Sequence, residues 1–261
     1  MDQWIVSRLN ESIKNVTGYI EEYNAHKATE DIENFVINDL SNWYVRRSRD
    51  RVNPSSTDEE DRSFALQTLY WVLNEYSRLL GPFIPFIAEE IYINLTNEES
   101  VHLANWPSPN ESLINVDLNK ETYFARQIVE KGHALRKGEG FIVRQPLNSA
   151  ATISPVQLSG GTITTIQQEL NIHKINNTVD PTSAVGAVNT IDFTITDQLK
   201  AEAEARDLVR KIQEERKKIG TSLSEKVNVT LPNWQAEFEE EIKRKALINS
   251  LSKGEFSVRK N

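Results

Sequence analysis

The sequence predicts a multidomain, mainly α chain: an antiparallel helical bundle over residues 1–110, a connecting helix over 111–140 and a small α+β appendage over 141–261. Apolar residues recur at helical spacing through the first part of the chain, and the segments between those stripes are short. From Phe141 the pattern turns to β-branched runs divided by Ser, Thr, Asn and Gly, as in strands and turns. A length of 261 residues suits two compact domains with a core each. The hydrophobic fraction of 38% and charged fraction of 26% are ordinary for a globular protein.

Ile5, Leu9, Ile13, Val16, Ile20 and Tyr23 fall three or four apart and form one face of a first helix. A second runs from about Ala28 with Ile32, Phe35, Val36, Leu40 and Trp43, and leads into Arg46, Arg47, Arg49 and Arg51 before Asn53-Pro54-Ser55-Ser56 breaks it. Thr57 or Asp58 is placed to N-cap a third helix, with the stripe Phe64, Leu69, Val72, Leu73, Tyr76, Leu79 and Leu80 and a stop at Gly81-Pro82. A fourth begins near Pro85, a residue favoured in a first turn, and buries Phe86, Ile87, Ile91 and Leu95. Four helices with short connections make an antiparallel bundle.

Residues 101–109 are irregular and proline-punctuated, a loop that wraps the bundle. A helix over 116–137, with Phe124, Ile128, Val129 and Leu135, leads away and ends at Gly138 or Gly140. In the appendage Ile142, Val143 and residues 151–153 suit a strand, and 162–170 a short helix. Strands follow at 172–179 and 188–195, then a charged helix at 197–219, a strand at 227–231, a helix at 234–247 and a last strand at 255–258.

The net charge of -8 argues against a protein that coats nucleic acid nonspecifically. Cations gathered on one face still attract RNA, because phosphate contacts act over about a Debye length of ~8 Å. No apolar run approaches the ~20 residues of a membrane helix, and Met1 opens directly into Asp2, Gln3 and Trp4, so a cytoplasmic setting is expected. The absence of cysteine agrees, and it excludes disulfides, thiolate zinc sites and cysteine nucleophiles. The sequons at Asn15 and Asn228 are set aside as products of an asparagine-rich composition.

No glycine is followed by lysine and no Gly-x-Gly-x-x-Gly occurs, so the common phosphate-cradling loops are missing. His26, His102, His133 and His173 stand far apart without metal-ligand spacing. Glu89-Glu90 and Glu202 with Glu204 read as solvated helix carboxylates, and Gly160-Gly161 as a turn. No catalytic residue and no metal site is expected.

Residues 39–51 read Asp-Leu-Ser-Asn-Trp-Tyr-Val-Arg-Arg-Ser-Arg-Asp-Arg, four arginines over six residues beside Trp43 and Tyr44. Guanidinium groups grip phosphate in a bidentate fork, and flat aromatic faces stack on unpaired bases. The same run also reads as a solvated helix end whose cations offset the C-terminal dipole, with Trp43 in the core. A second basic cluster holds Arg126, Lys131, Arg136, Lys137 and Arg144. A third, Arg210, Lys211, Arg216, Lys217 and Lys218, is interrupted by Glu214 and Glu215 and reads as a salt-bridged solvent face.

Residues 39–51 closely resemble a segment of the isoleucyl-tRNA synthetases, class I aminoacyl-tRNA synthetases. Residues 2–10, Asp-Gln-Trp-Ile-Val-Ser-Arg-Leu-Asn, resemble the start of that family's anticodon-binding bundle, and residues 80–92 its later helix. Residues 101–107 are similar to its Val-His-Leu-x-x-Trp-Pro element. Ala134-Leu135-Arg136-Lys137 with Val143-Arg144-Gln145-Pro146-Leu147, and residues 205–213, resemble its C-terminal signatures. Valyl, leucyl and methionyl relatives share the bundle, whereas Ser41-Asn42-Trp43-Tyr44 with residues 143–147 points to the isoleucyl branch.

The resemblance implies a bundle that grips the anticodon stem and loop, plus an appendage of unassigned role. Expected partners are isoleucine tRNA and the parent's catalytic domain, with no DNA and no membrane. Trp43, Tyr44, Arg46, Arg47, Arg49, Arg51, Lys131, Arg136, Lys137 and Arg144 are the candidate RNA-binding residues. The family's two ATP-site signatures are missing, and the Lys-Met-Ser-Lys-Ser type is impossible because Met1 is the only methionine. This stretch therefore needs no cofactor of its own, and the ATP and magnesium of aminoacylation belong to the parent. The segment between about residues 148 and 198 is shorter than in many members, and the cysteine-ligated zinc of some members cannot occur. The competing readings are a structural or protein-interaction module that buttresses the parent, and a free-standing enzyme.

Overall fold

The computed structural model describes every residue except Pro54, Ser55, Thr57 and Asn261. The chain forms two compact units, Met1–Asn119 and Lys120–Asn261. The mainly α character, a helical bundle followed by a small α+β part, is as the sequence predicts.

In the first unit α1 (Asp2–Glu21), α2 (Ala25–Asn34), a π-helix (Phe35–Val45), α3 (Arg46–Val52), α4 (Glu59–Leu80) and α5 (Pro85–Thr96) follow one another. None of the helices is long and apolar enough to cross a membrane, among the described residues. The buried face of α1 holds Trp4, Ile5, Leu9, Ile13 and Val16. Its predicted stripe stops there: the chain turns back through Tyr23, at a positive φ of 57° and 97% exposed, so Tyr23 and Ile20 lie outside the core. Periodicity alone also missed the buried Ser7 and Asn10. Their side-chain oxygens accept hydrogen bonds from the backbone N–H of Asn115 and Asn110, both at 2.8 Å. Trp106 donates its indole N–H to Thr17 at 2.9 Å. The segment after α5 is thus held along α1 by polar groups, the wrapping loop of the sequence reading.

Asp58 caps α4 by accepting from the Asp61 N–H at 2.9 Å, and Glu59, Glu60 and Asp61 face the positive end of the helix dipole. Thr57, the alternative cap, and Pro54 and Ser55 of the expected break lie outside the described residues. Val72, Tyr76, Leu79 and Leu80 are buried as expected, while Phe64 is exposed. Pro85 opens α5, but the helix buries Ala88 rather than the expected apolar side chains, and Phe86 is 90% exposed. Close approach through a small residue leaves Phe86 and Ile87 exposed and Ile91 and Leu95 half-buried. Glu89 instead turns to the next segment, accepting from the Val101 N–H at 2.7 Å.

The boundary between units falls inside α6 (Val116–Gly138), which is more than a connector. Its later turns bury Ala125, Ile128, Val129, Gly132 and Arg136 within the second unit. A Cβ on Gly132 would meet the tip of Leu170 at 2.5 Å, so only glycine allows this approach without a shift. The order continues β1 (Leu147–Ser154), α7 (Gly160–Leu170), β2 (Ile172–Val179), β3 (Ala187–Ile191), α8 (Asp197–Lys218), β4 (Val227–Leu231), α9 (Glu239–Ala246), β5 (Ile248–Lys253) and β6 (Ser257–Lys260). The first strand begins later than the sequence suggests, with Ile142 and Val143 exposed before it, and β5 was not foreseen.

Among the described residues the strands form two three-stranded sheets, ordered β2-β1-β3 and β5-β4-β6. In each the central strand is parallel to one neighbour and antiparallel to the other. The second unit is therefore an α-β-α-β-β motif built twice. Equivalent pairs open the parallel ladders, Leu147 with Ile172 and Val227 with Ile248. The helix before each parallel partner ends at a left-handed residue, Asn171 or Leu247.

Candidate nucleic-acid interface

The arginine-rich run sits where the π-helix passes into α3. Hydrogen bonds of the i to i+5 kind are rare beyond one turn and often mark functional sites. Buried positions along this widened stretch fall four or five apart: Phe35, Asp39 and Leu40, Trp43 and Tyr44, then Ser48. Asp39 meets Arg8 of α1 at 2.9 Å, a buried carboxylate paired as its burial requires.

Trp43 is buried, and the guanidinium carbons of Arg46 and Arg47 lie 5.7 Å and 5.8 Å from its ring centroid, within cation–π range. Arg46 also donates from Nε to the Asn42 carbonyl at 2.9 Å. Arg46 and Arg49 are exposed and Arg47 is half-buried. The structure thus brings these three cations together on α3, two of them braced on a buried indole. Such braced guanidiniums lose little freedom on gripping phosphate.

Two members of the predicted set do something else. Tyr44 is fully buried and donates its hydroxyl to Asp2 at 2.8 Å; burial, then the Asp2 carboxylate, pushes the phenol well above its ordinary range. It cannot stack on a base. Arg51 forks Asp2 at 2.8 Å and 2.7 Å, and Asp61 at 2.8 Å and 2.7 Å. Burial pushes the Asp2 carboxyl up, but the hydrogen bonds from Arg51 and Tyr44 outweigh it and leave Asp2 below its ordinary value. The Arg51 guanidinium likewise holds Asp61 down. Arg51 ties the start of α1 to the first turn of α4, so its donors are occupied by the bundle itself.

In the second unit Lys131 and Lys137 are exposed on α6, and Arg144 is exposed in the loop after it, 3.9 Å from Asp207. Arg136, grouped with these by sequence, is 0% exposed. It donates to the carbonyls of Leu170 at 3.1 Å and Ile142 at 2.6 Å, and to that of Gln145. Burial lowers its pKa from the ordinary value. Arg136 is a clamp inside the fold and has no surface to offer RNA. Arg216, 80 residues on, repeats it: its donors reach the carbonyls of Glu225, Ala246 and Ser222 at 2.6, 3.4 and 3.2 Å. Three other members of the third cluster are salt-bridged as the sequence suggests, Arg210 with Asp207 and Glu214, Lys211 with Asp207, and Lys218 with Glu215.

Sequence reasoning put Arg216 on a solvent face, whereas it is buried on backbone carbonyls, and it missed the Arg8–Asp39 pair. The signal for Arg216 is present: Arg136-Lys137-x-x-Gly140 and Arg216-Lys217-x-x-Gly220 share a spacing, and both glycines have positive φ.

Residues 2–151 match the family model described as the anticodon-binding domain of tRNA ligase. The isoleucine–tRNA ligase of Dehalococcoides mccartyi is 35% identical over 286 residues, covering 97% of this chain and 27% of the relative. That of Clostridium acetobutylicum is 42% identical over 181 residues, covering 67% and 17%. That of Pyrococcus furiosus is 43% identical over 150 residues, covering 56% and 14%. The chain spans only about a quarter or less of the length of these curated relatives, and matches their C-terminal region. With its matched stretch containing both the bundle and the α3 arginines, the chain belongs to the family of anticodon-binding domains of tRNA ligases, and within it is similar to the C-terminal region of isoleucine–tRNA ligases.

Proposed function

We propose that the first unit binds the anticodon stem and loop of isoleucine tRNA and positions it for aminoacylation by a catalytic domain, in the cytoplasm. The observation that carries this is the cluster of Arg46, Arg47 and Arg49 on α3, with Trp43 beneath two of them. In a chain of net charge -8 such a local concentration of guanidiniums has a use. The family match and the isoleucine–tRNA ligase relatives support it. ATP and magnesium would serve the catalytic domain; these 261 residues would need neither.

Filter binding of isoleucine tRNA tests this. Arg46→Ala and Arg49→Ala should each weaken binding, and each should reduce the slope of log affinity against log salt by about 1. Unchanged affinity and slope in both variants would remove the phosphate contact.

A second reading, an added role in buttressing the parent, is favoured by one observation: Phe86, Ile87 and Ile84 of the α5 region are exposed and apolar. Such side chains commonly mark a protein contact. Phe86→Ser should then lower the aminoacylation rate of a full-length relative without changing the tRNA affinity of this chain.

A further inference from the structure

The doubled α-β-α-β-β motif allows one half to be compared with the other. In the first half the connection between β2 and β3 lies on α6. The Gly186 N–H donates to Gln127 at 2.8 Å, and a Cβ on Gly186 would come within 2.5 Å of the Phe124 carbonyl. Only a residue without a side chain seals that groove. Glu204, Asp207 and Leu208 of α8 stand 80 residues after Phe124, Gln127 and Ile128. The corresponding connection, from β5 to β6, is only residues 254–256. The α8 groove is open instead, a cleft of ≈ 500 Å³ lined by those same three residues. That volume is in the range of small-ligand sites.

The cleft walls carry the chemistry of single-stranded RNA binding. Arg144, Lys200 and Lys211 supply three cations against the carboxylates of Glu204 and Asp207. Asp207 lies 3.9 Å from Arg144 and 3.2 Å from Lys211, so it orients cations at the rim. Trp234 lines the cleft, packs against the core of the second half and donates its indole N–H to Glu239 at 2.9 Å, which fixes the ring plane. The exposed amides of Asn233 and Gln235 flank it and offer both donors and acceptors. A fixed aromatic face, amides and cations within one cleft match an unpaired nucleotide.

We propose that this cleft takes an unpaired nucleotide of an RNA strand, stacked on Trp234 with its phosphate toward Lys200 and Arg144. The site belongs to the second unit, α3 to the first, and its biological sense rests on the tRNA-binding reading above. The test uses the 261-residue chain with three fluorescein-labelled probes: a single-stranded hexaribonucleotide of mixed sequence, its duplex, and an isoleucine tRNA transcript. Anisotropy should show the single strand preferred over the duplex. Lys200→Glu and Trp234→Leu should each weaken hexamer binding by about tenfold, Trp234→Phe should retain it, and Arg49→Glu should leave it unchanged while weakening tRNA. Lys200 is exposed, so its substitution leaves the core intact. Equal binding of duplex and single strand, or a hexamer affinity unmoved by Lys200→Glu and Trp234→Leu, overturns the cleft. If tRNA then still depends on Arg49, the anticodon-arm reading stands without it; if tRNA does not bind while the hexamer does, that reading falls and the cleft remains.

Discussion

Replacing Arg136 with methionine should unfold the second unit far more readily than its place in a basic cluster suggests. The guanidinium is fully buried and holds three carbonyls, those of Leu170, Ile142 and Gln145, which close the end of α7 and the loop before β1. Hydrogen bonds to a charged group contribute roughly 1.5–3 kcal/mol each, so the three sum to a gross loss of about 4–9 kcal/mol. Two terms reduce it. Methionine fills most of the space, and the removed charge no longer bears the desolvation cost that lowers the arginine's pKa. A net destabilisation of about 3 kcal/mol remains, because orphaned buried acceptors still cost about 1–3 kcal/mol each. With a urea slope of roughly 1–3 kcal/mol per molar, the midpoint should fall by about 1–3 M. Urea unfolding followed by hydrogen exchange of the β1 and β2 amides reads this directly. Exchange in α1 and α4 should be unmoved, and Arg216→Met should reproduce the effect in β4 and β5. A midpoint shift below about 0.3 M would refute the clamp.

Two further outcomes concern the bundle. Asp2 and Asp61 have folded pKa values below their unfolded ones, so their contribution is present above the unfolded carboxylate value near about 3.9 and is lost as pH falls through the lower folded values. The first unit should therefore lose stability in acid below about pH 4, and Arg51→Met should be less stable at pH 7 with a shallower acid limb in circular dichroism titrations. Trp43→Ala should cost about 3–5 kcal/mol in thermal unfolding, as for other buried aromatics. Trp43→Phe, which keeps a ring under Arg46 and Arg47, should lose much less stability and keep most tRNA affinity.

The bundle was legible because helical periodicity reports burial wherever packing is by apolar stripes, as with Ile5, Leu9, Ile13 and Val16. It misled where size and shape decide: α5 approaches through Ala88, so Phe86 stays outside. Polar burial leaves no such pattern. Ser7 and Asn10 look like solvent-facing residues until the chain from Asn110 to Asn115 returns to bond them, about 100 residues later in sequence. The same limit applies at the candidate site. Composition marks all ten residues alike, but only long-range partners separate Arg51, spent on Asp2 and Asp61, and Arg136, spent on carbonyls, from the exposed Arg46 and Arg49. The repeat was visible only as one sparse motif, Arg-Lys-x-x-Gly, because the two halves keep the same strand order while most of their side chains differ.

The most direct measurement is a hydroxyl-radical footprint of isoleucine tRNA with this chain and with its Arg49→Glu variant. Protection of the anticodon stem and loop by the unaltered chain, lost from that arm in the variant, is the expected result. Protection confined to the acceptor arm, or a pattern identical in the two proteins, would contradict the assignment of α3 as the anticodon-arm contact.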